Sequence, residues 1–216
     1  MSSARADDRG AGAMLAPMAG VAVAPLVGAS MLGDAPLGVL QRILLTTDAT
    51  VVRLLEGFFG EVIHTAGLGQ VSRPVSPADG ELEPAGHETL LCRETLLQGS
   101  DTGRNYIYAE ACVVLDRLDA AVREGLLTTS EPIGYLLAAN RIETFREILR
   151  LGRKPAGPLG ARFAMDSHDE LLSRTYRIIA GGSPIMLLTE WFPALEFPEG
   201  GEQVADPNRG SAVAGS

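Results

Sequence analysis

Residues 87–116 read HETLLCRETLLQGSDTGRNYIYAEACVVLD, two runs rich in β-formers separated by Ser100-Asp101-Thr102-Gly103. Tyr, Ile, Val, Thr and Leu at this density suit extended backbone, and the Ser-Asp-Thr-Gly cluster suits a tight reversal, so the runs should pair as an antiparallel hairpin. A second hairpin follows near the C-terminus. There LLSRTYRIIA (171–180) turns through Gly181-Gly182-Ser183 into PIMLLTEWF (184–192).

The stretches around the hairpins complete the pattern. Upstream, Leu37, Leu40, Ile43 and Leu44 recur at helical spacing, and a second helix restarts after Thr47 or Asp48 as its N-cap and ends near Gly57 to Gly60. Residues 60–76 read as a strand and 74–88 as a loop. Between the hairpins, RLDAAVREGLL (117–127) reads as a helix, SEPIGYLLAANR (130–141) as another with Ser130 as N-cap, and IETFREILRLG (142–152) as a third. There is no internal repeat and no heptad seam. Strands, then helices, then strands imply an α+β fold: a single antiparallel β-sheet with helices packed on it.

Three segments are expected: residues 1–34 as a flexible Ala/Gly/Pro-rich leader, 35–197 as the folded domain, and 198–216 as a disordered tail. The leader's apolar run 11–32 has the length of a signal peptide, and Val27-Gly28-Ala29 resembles a cleavage site. However, Asp7 and Asp8 offset Arg5 and Arg9, so no positive n-region precedes it. Pro17, Pro25 and the glycines argue against a membrane helix.

Hydrophobic residues at 46% and charged residues at 21% are those of an ordinary globular domain. The net charge of −9 and the pI near 4.8 argue against a nucleic-acid partner, while a local arginine could still bind a small anionic substrate. Cys92 and Cys112 are too few for a disulfide framework and read as two buried thiols in a reducing, cytoplasmic setting. His64, His87 and His168 are scattered, without metal-ligand spacing, so neither a metal nor a nucleotide cofactor is expected. The oligomeric state is left open.

Strand parity gives the candidate chemistry. Leu91, Arg93, Thr95 and Leu97 share one strand face, and Met186, Leu188 and Glu190 share another. A charged residue among aliphatic neighbours is a member of a structural ion pair, a strand-edge residue whose head snorkels to water, or part of a dry pocket for an organic acid. Parity alone leaves all three open.

The segments LCRETLL, YAEACVVLDRLD, SEPIGYLLAANRIETFREIL and SRTYRIIAGGSPIMLLTEWF, in this order within residues 37–196, resemble the chorismate pyruvate-lyase family, in particular its actinobacterial 4-hydroxybenzoate synthase branch. The most specific pieces are Glu131-Pro132-Ile133-Gly134, Ile142-Glu143-Thr144-Phe145 and Pro184-Ile185-Met186 through Thr189-Glu190. The resemblance implies a single antiparallel sheet carrying helices and a cofactor-independent removal of pyruvate from chorismate. It puts the carboxylate-binding arginine at Arg93 and the catalytic acid at Glu190. Further ring-carboxylate contacts fall on the backbone amides of two helix starts, at Thr50 and at Ile133 beside Gly134. Enterobacterial members carry methionine and leucine at the two amide positions, so Thr50 is a smaller, more polar departure. Glu190 is expected protonated in an apolar setting, donating toward the leaving oxygen, and Arg177 is the candidate partner for the substrate's side-chain carboxylate. Glu110, Asp116 and Glu143 are read as caps or surface pairs.

Two other functions remain. A lyase-like scaffold could act on another cyclic carboxylic acid, and similar effector domains of transcription regulators bind small molecules without catalysis. The second would need a DNA-binding module, for which the stretch before Leu37 is short and not basic.

Overall fold

The chain reverses where glycine allows it. Gly103 has φ 67°, and Gly181 and Gly182 have φ 58° and 79°, the left-handed backbone that tight hairpin loops require. The structure, a computed structural model, describes Leu32 and residues 37–129 and 131–194. The tail, the cleavage-site reading at 27–29, the Ser130 cap and all of the leader except Leu32 lie outside these residues. Leu32, within the stretch read as leader, is buried among Leu44, Leu55 and Phe192.

Six strands form one antiparallel sheet in the order β1-β2-β3-β6-β5-β4. They are β1 (Ile63–Pro74), β2 (Thr89–Gly99), β3 (Asn105–Val114), β4 (Phe145–Pro155), β5 (Glu170–Ala180) and β6 (Ser183–Pro193). The sheet is thus two three-stranded meanders joined along β3 and β6, where Ala109 lies opposite Glu190 and Ala111 opposite Leu188. Helices α1 (Val39–Thr46), α2 (Val51–Phe59), α3 (Ala120–Thr128) and α4 (Ile133–Ala139) supply apolar residues to two clusters. One gathers Leu44, Val52 and Leu55 against Leu97 and Ala109; the other gathers Val122, Leu126 and Leu136 against Ala111, Tyr176 and Leu188. Short 3-10 segments at Pro77–Leu82 and Gly157–Arg162 contribute to the opposite side, where Leu82 packs with Cys92 and Ala156 with Trp191.

Three expectations are corrected. Residues 145–155 form β4, not a helix. Its register shifts between Ile148 and Arg150, so Ile148 lies opposite Tyr176 and Leu151 opposite Arg174. One inserted residue puts apolar positions three apart onto one face, and in sequence that spacing imitates a helix. The N-cap of α2 is Thr50 rather than Thr47 or Asp48. Finally, Cys92 and Cys112 are directly opposed in the β2–β3 register and form a disulfide, which removes the basis for reading two thiols and a reducing compartment. Their spacing in sequence could not show that they would face each other. Thiol titration of unreduced, denatured protein is expected to find no free thiol; two per chain would contradict the bond.

Candidate active site

The sheet register gathers the charged residues that parity singled out. Across the strands, Arg93 lies opposite Ala111, Ala111 opposite Leu188, and Leu188 opposite Tyr176. One step along, Thr95 is opposite Ala109, Ala109 opposite Glu190, and Glu190 opposite Arg174. Because alternate residues share a face, all eight project to the same side. Two alanines at the centre leave space there, and the starts of α2 and α4 close over it. The resulting cavity has about 630 Å³ of empty volume, counting the part open to solvent. Arg93, Glu190, Thr50, Ile133 and Gly134 all line it.

Glu190 is 3% exposed, and both its oxygens are occupied. Arg174 Nε donates to Oε2 at 2.7 Å, and the Tyr176 hydroxyl donates to Oε1 at 3.1 Å. Burial first, and the Glu190 charge next, push the Tyr176 hydroxyl well above its ordinary pKa, which keeps it a donor. The purely apolar setting expected for Glu190 is therefore corrected: a buried guanidinium and a phenol hydroxyl take its two oxygens. Arg174 also donates through Nη1 to the carbonyls of Leu44 at 2.7 Å and Thr47 at 3.0 Å. Those carbonyls end α1, where helix geometry leaves acceptors without intrahelical donors.

Arg93 has the opposite surroundings. It is 8% exposed, and its Nη1 is buried without a partner. Burial lowers its pKa from the ordinary arginine value, with no acid to offset the effect. A buried guanidinium without an anion is costly unless something else supplies one. The ion-pair alternative that parity left open thus divides: Glu190 is paired, with Arg174, while Arg93 is not.

The helix starts meet closely. A Cβ on Gly134 would come within 2.8 Å of Thr50 Cγ2, so glycine there lets α4 approach α2. Tyr135, whose hydroxyl donates to Glu56 at 2.8 Å, ties the two helices together. The first backbone amides of both helices lack intrahelical acceptors, and the cavity lies beside them.

Arg177 does not belong to this site. It sits one residue out of phase with Tyr176 and Ile178, on the other face, where it pairs with Glu147 at 2.5 Å and Glu83 at 2.8 Å. Glu110 likewise lies on that other face, accepting from Tyr108 at 3.0 Å. Three residues beside the cavity or in it went unnoticed in the sequence: Arg174, Arg146 and Thr65, whose hydroxyl is also buried without a partner. Arg174 shares parity with Tyr176 and Ile178, a signal that was available. Arg146 was hidden by the helical reading of β4. Among the described residues, no cluster of three or more His, Cys, Asp and Glu could hold a metal, and no helix is long and apolar enough to cross a membrane.

Comparison with known proteins supplies the family. Residues 44–197 match the family model described as chorismate pyruvate-lyase Rv2949c-like. The chorismate pyruvate-lyase of Mycobacterium leprae is 36% identical over 153 residues, covering 70% of this chain and 72% of that protein. That of Mycobacterium tuberculosis H37Rv is 33% identical over 156 residues, covering 70% and 78%. Among solved structures, the PhnF protein of Mycobacterium smegmatis superimposes with a TM-score of 0.58 over 71% of this chain and 67% of that one. At 10% identity the likeness to PhnF is one of fold alone. The chain therefore belongs to the Rv2949c-like chorismate pyruvate-lyase family.

Proposed function

We infer that this chain removes pyruvate from chorismate and releases 4-hydroxybenzoate. The observation that carries the reading is Arg93, a buried guanidinium lining the cavity with no anion beside it among the described residues. It takes the ring carboxylate through two parallel hydrogen bonds, and the amides of Thr50 and Ile133 add donors from the two helix starts. The ring then lies over Ala109 and Ala111. Glu190, held by Arg174 and Tyr176, accepts a hydrogen bond from the ring hydroxyl and so fixes C4 of the substrate. Because Arg174 already neutralises Glu190, the acid does not repel an anionic substrate.

The chemistry is internal to the substrate. The C3–O bond breaks with its electrons leaving on the enolpyruvyl oxygen, and the C4–H electron pair becomes the third double bond of the ring. The C4 proton ends on the methylene carbon of the departing group, which gives pyruvate. Aromatisation drives this change, so the protein contributes mainly orientation and fixed polar groups.

Purified protein given chorismate with a chelator present should form pyruvate and 4-hydroxybenzoate in equal amounts. No pyruvate, or activity only with added metal, would contradict the reading. Glu190→Gln loosens the acceptor that fixes C4 and should lower turnover of the folded fraction by about 10²-fold or more. It should also lower stability, by roughly 3 kcal/mol, because Arg174 is left buried without an anion. Unchanged turnover would remove Glu190 from the mechanism. Ala111→Leu fills the cavity instead: stability should hold while 4-hydroxybenzoate affinity falls by about 10²-fold or more. Retained affinity would place the product elsewhere.

A further inference from the structure

Four charged residues line the cavity: Arg93, Arg146, Glu131 and Glu190. Arg174 neutralises Glu190, and Glu131 is exposed at the approach to α4. Two guanidiniums remain on this one face, one in each meander. Arg93 stands on β2 and Arg146 on β4, four strand spacings away, or about 19 Å between backbones. Both side chains nonetheless reach the same cavity. The one hydrogen bond of Arg146 to the described residues is from Nη1 to the Asp48 carbonyl at 3.0 Å, and no carboxylate pairs with it.

A substrate with carboxylates at two separated positions matches two cations entering from opposite walls. We propose that Arg146 binds the enolpyruvyl carboxylate of chorismate, the role that Arg177 cannot fill from the other face. The proposal rests on the lyase reading and deepens it. It makes Arg146 a determinant of specificity for dicarboxylates: chorismate needs both arginines, whereas 4-hydroxybenzoate, with one carboxylate, needs only Arg93. The cation on β4 thus adds affinity for substrate that the ring product does not share, which favours release of 4-hydroxybenzoate once pyruvate has left.

The test compares substrate and product in the same variants. Arg146→Gln should lower kcat/KM for chorismate by about tenfold or more while leaving the dissociation constant of 4-hydroxybenzoate within about twofold. Unchanged product binding also certifies that the variant is folded. Arg146→Lys, which keeps the charge, should recover most of the loss. If substrate and product affinity weaken together in Arg146→Gln, the residue serves the ring carboxylate or the pocket's shape, and the proposal is overturned. No change in kcat/KM overturns it as well. If the unaltered protein releases no pyruvate, the lyase reading itself fails and takes this proposal with it, a result distinct from normal turnover with an indifferent Arg146.

Discussion

Arg174 on β5, with a side chain 1% exposed, ties its own strand to β6 and to the end of α1, whose Leu44 lies 130 residues away in sequence. Its Nε is bound to Glu190 on β6, its Nη1 to the last carbonyls of α1, and its guanidinium lies 4.8 Å from the centre of the Tyr176 ring. Two residues after Thr47 the chain reaches Ala49 and Thr50 and starts α2 over the cavity. A single cation therefore fixes the acid on the floor and the entry to a helix in the roof. Removing either charge of such a buried pair leaves the other uncompensated, so the pair constrains which sequences can occupy this face.

With Glu190 neutralised inside the protein, the positive charge left over in the cavity belongs to the ligand. A pair between Arg93 and Glu190 would have closed the site. The separation of the two by Ala109 and Ala111 prevents that, and the cost of the unpaired guanidinium is offset when an anion binds. Small residues at the seam between the two meanders serve the same end, because any larger side chain there would replace the ligand with protein.

Much of this was legible in the sequence, and the limits have physical causes. Both hairpins follow from β-formers around turn residues, and parity correctly put Arg93 and Glu190 among aliphatic neighbours. Parity describes a single strand, however, and cannot say which strands are adjacent. The partner of Glu190 and the disulfide between Cys92 and Cys112 both depend on sheet register, which only the folded chain supplies. The bulge in β4 disguised a strand as a helix and concealed Arg146 with it. Arg177 shows the converse error: a plausible residue type, one position out of phase, on the wrong face.

The central claim is that Arg93 is kept for a ligand and not for the fold. Thermal unfolding of Arg93→Met, with and without 4-hydroxybenzoate, tests it most directly. Replacing a buried, unpaired cation with an apolar side chain of similar length should leave the ligand-free midpoint unchanged or raise it, while the ligand-induced rise expected of the unaltered protein disappears. A lower ligand-free midpoint together with a preserved ligand-induced rise would show that Arg93 is structural and that the carboxylate binds elsewhere.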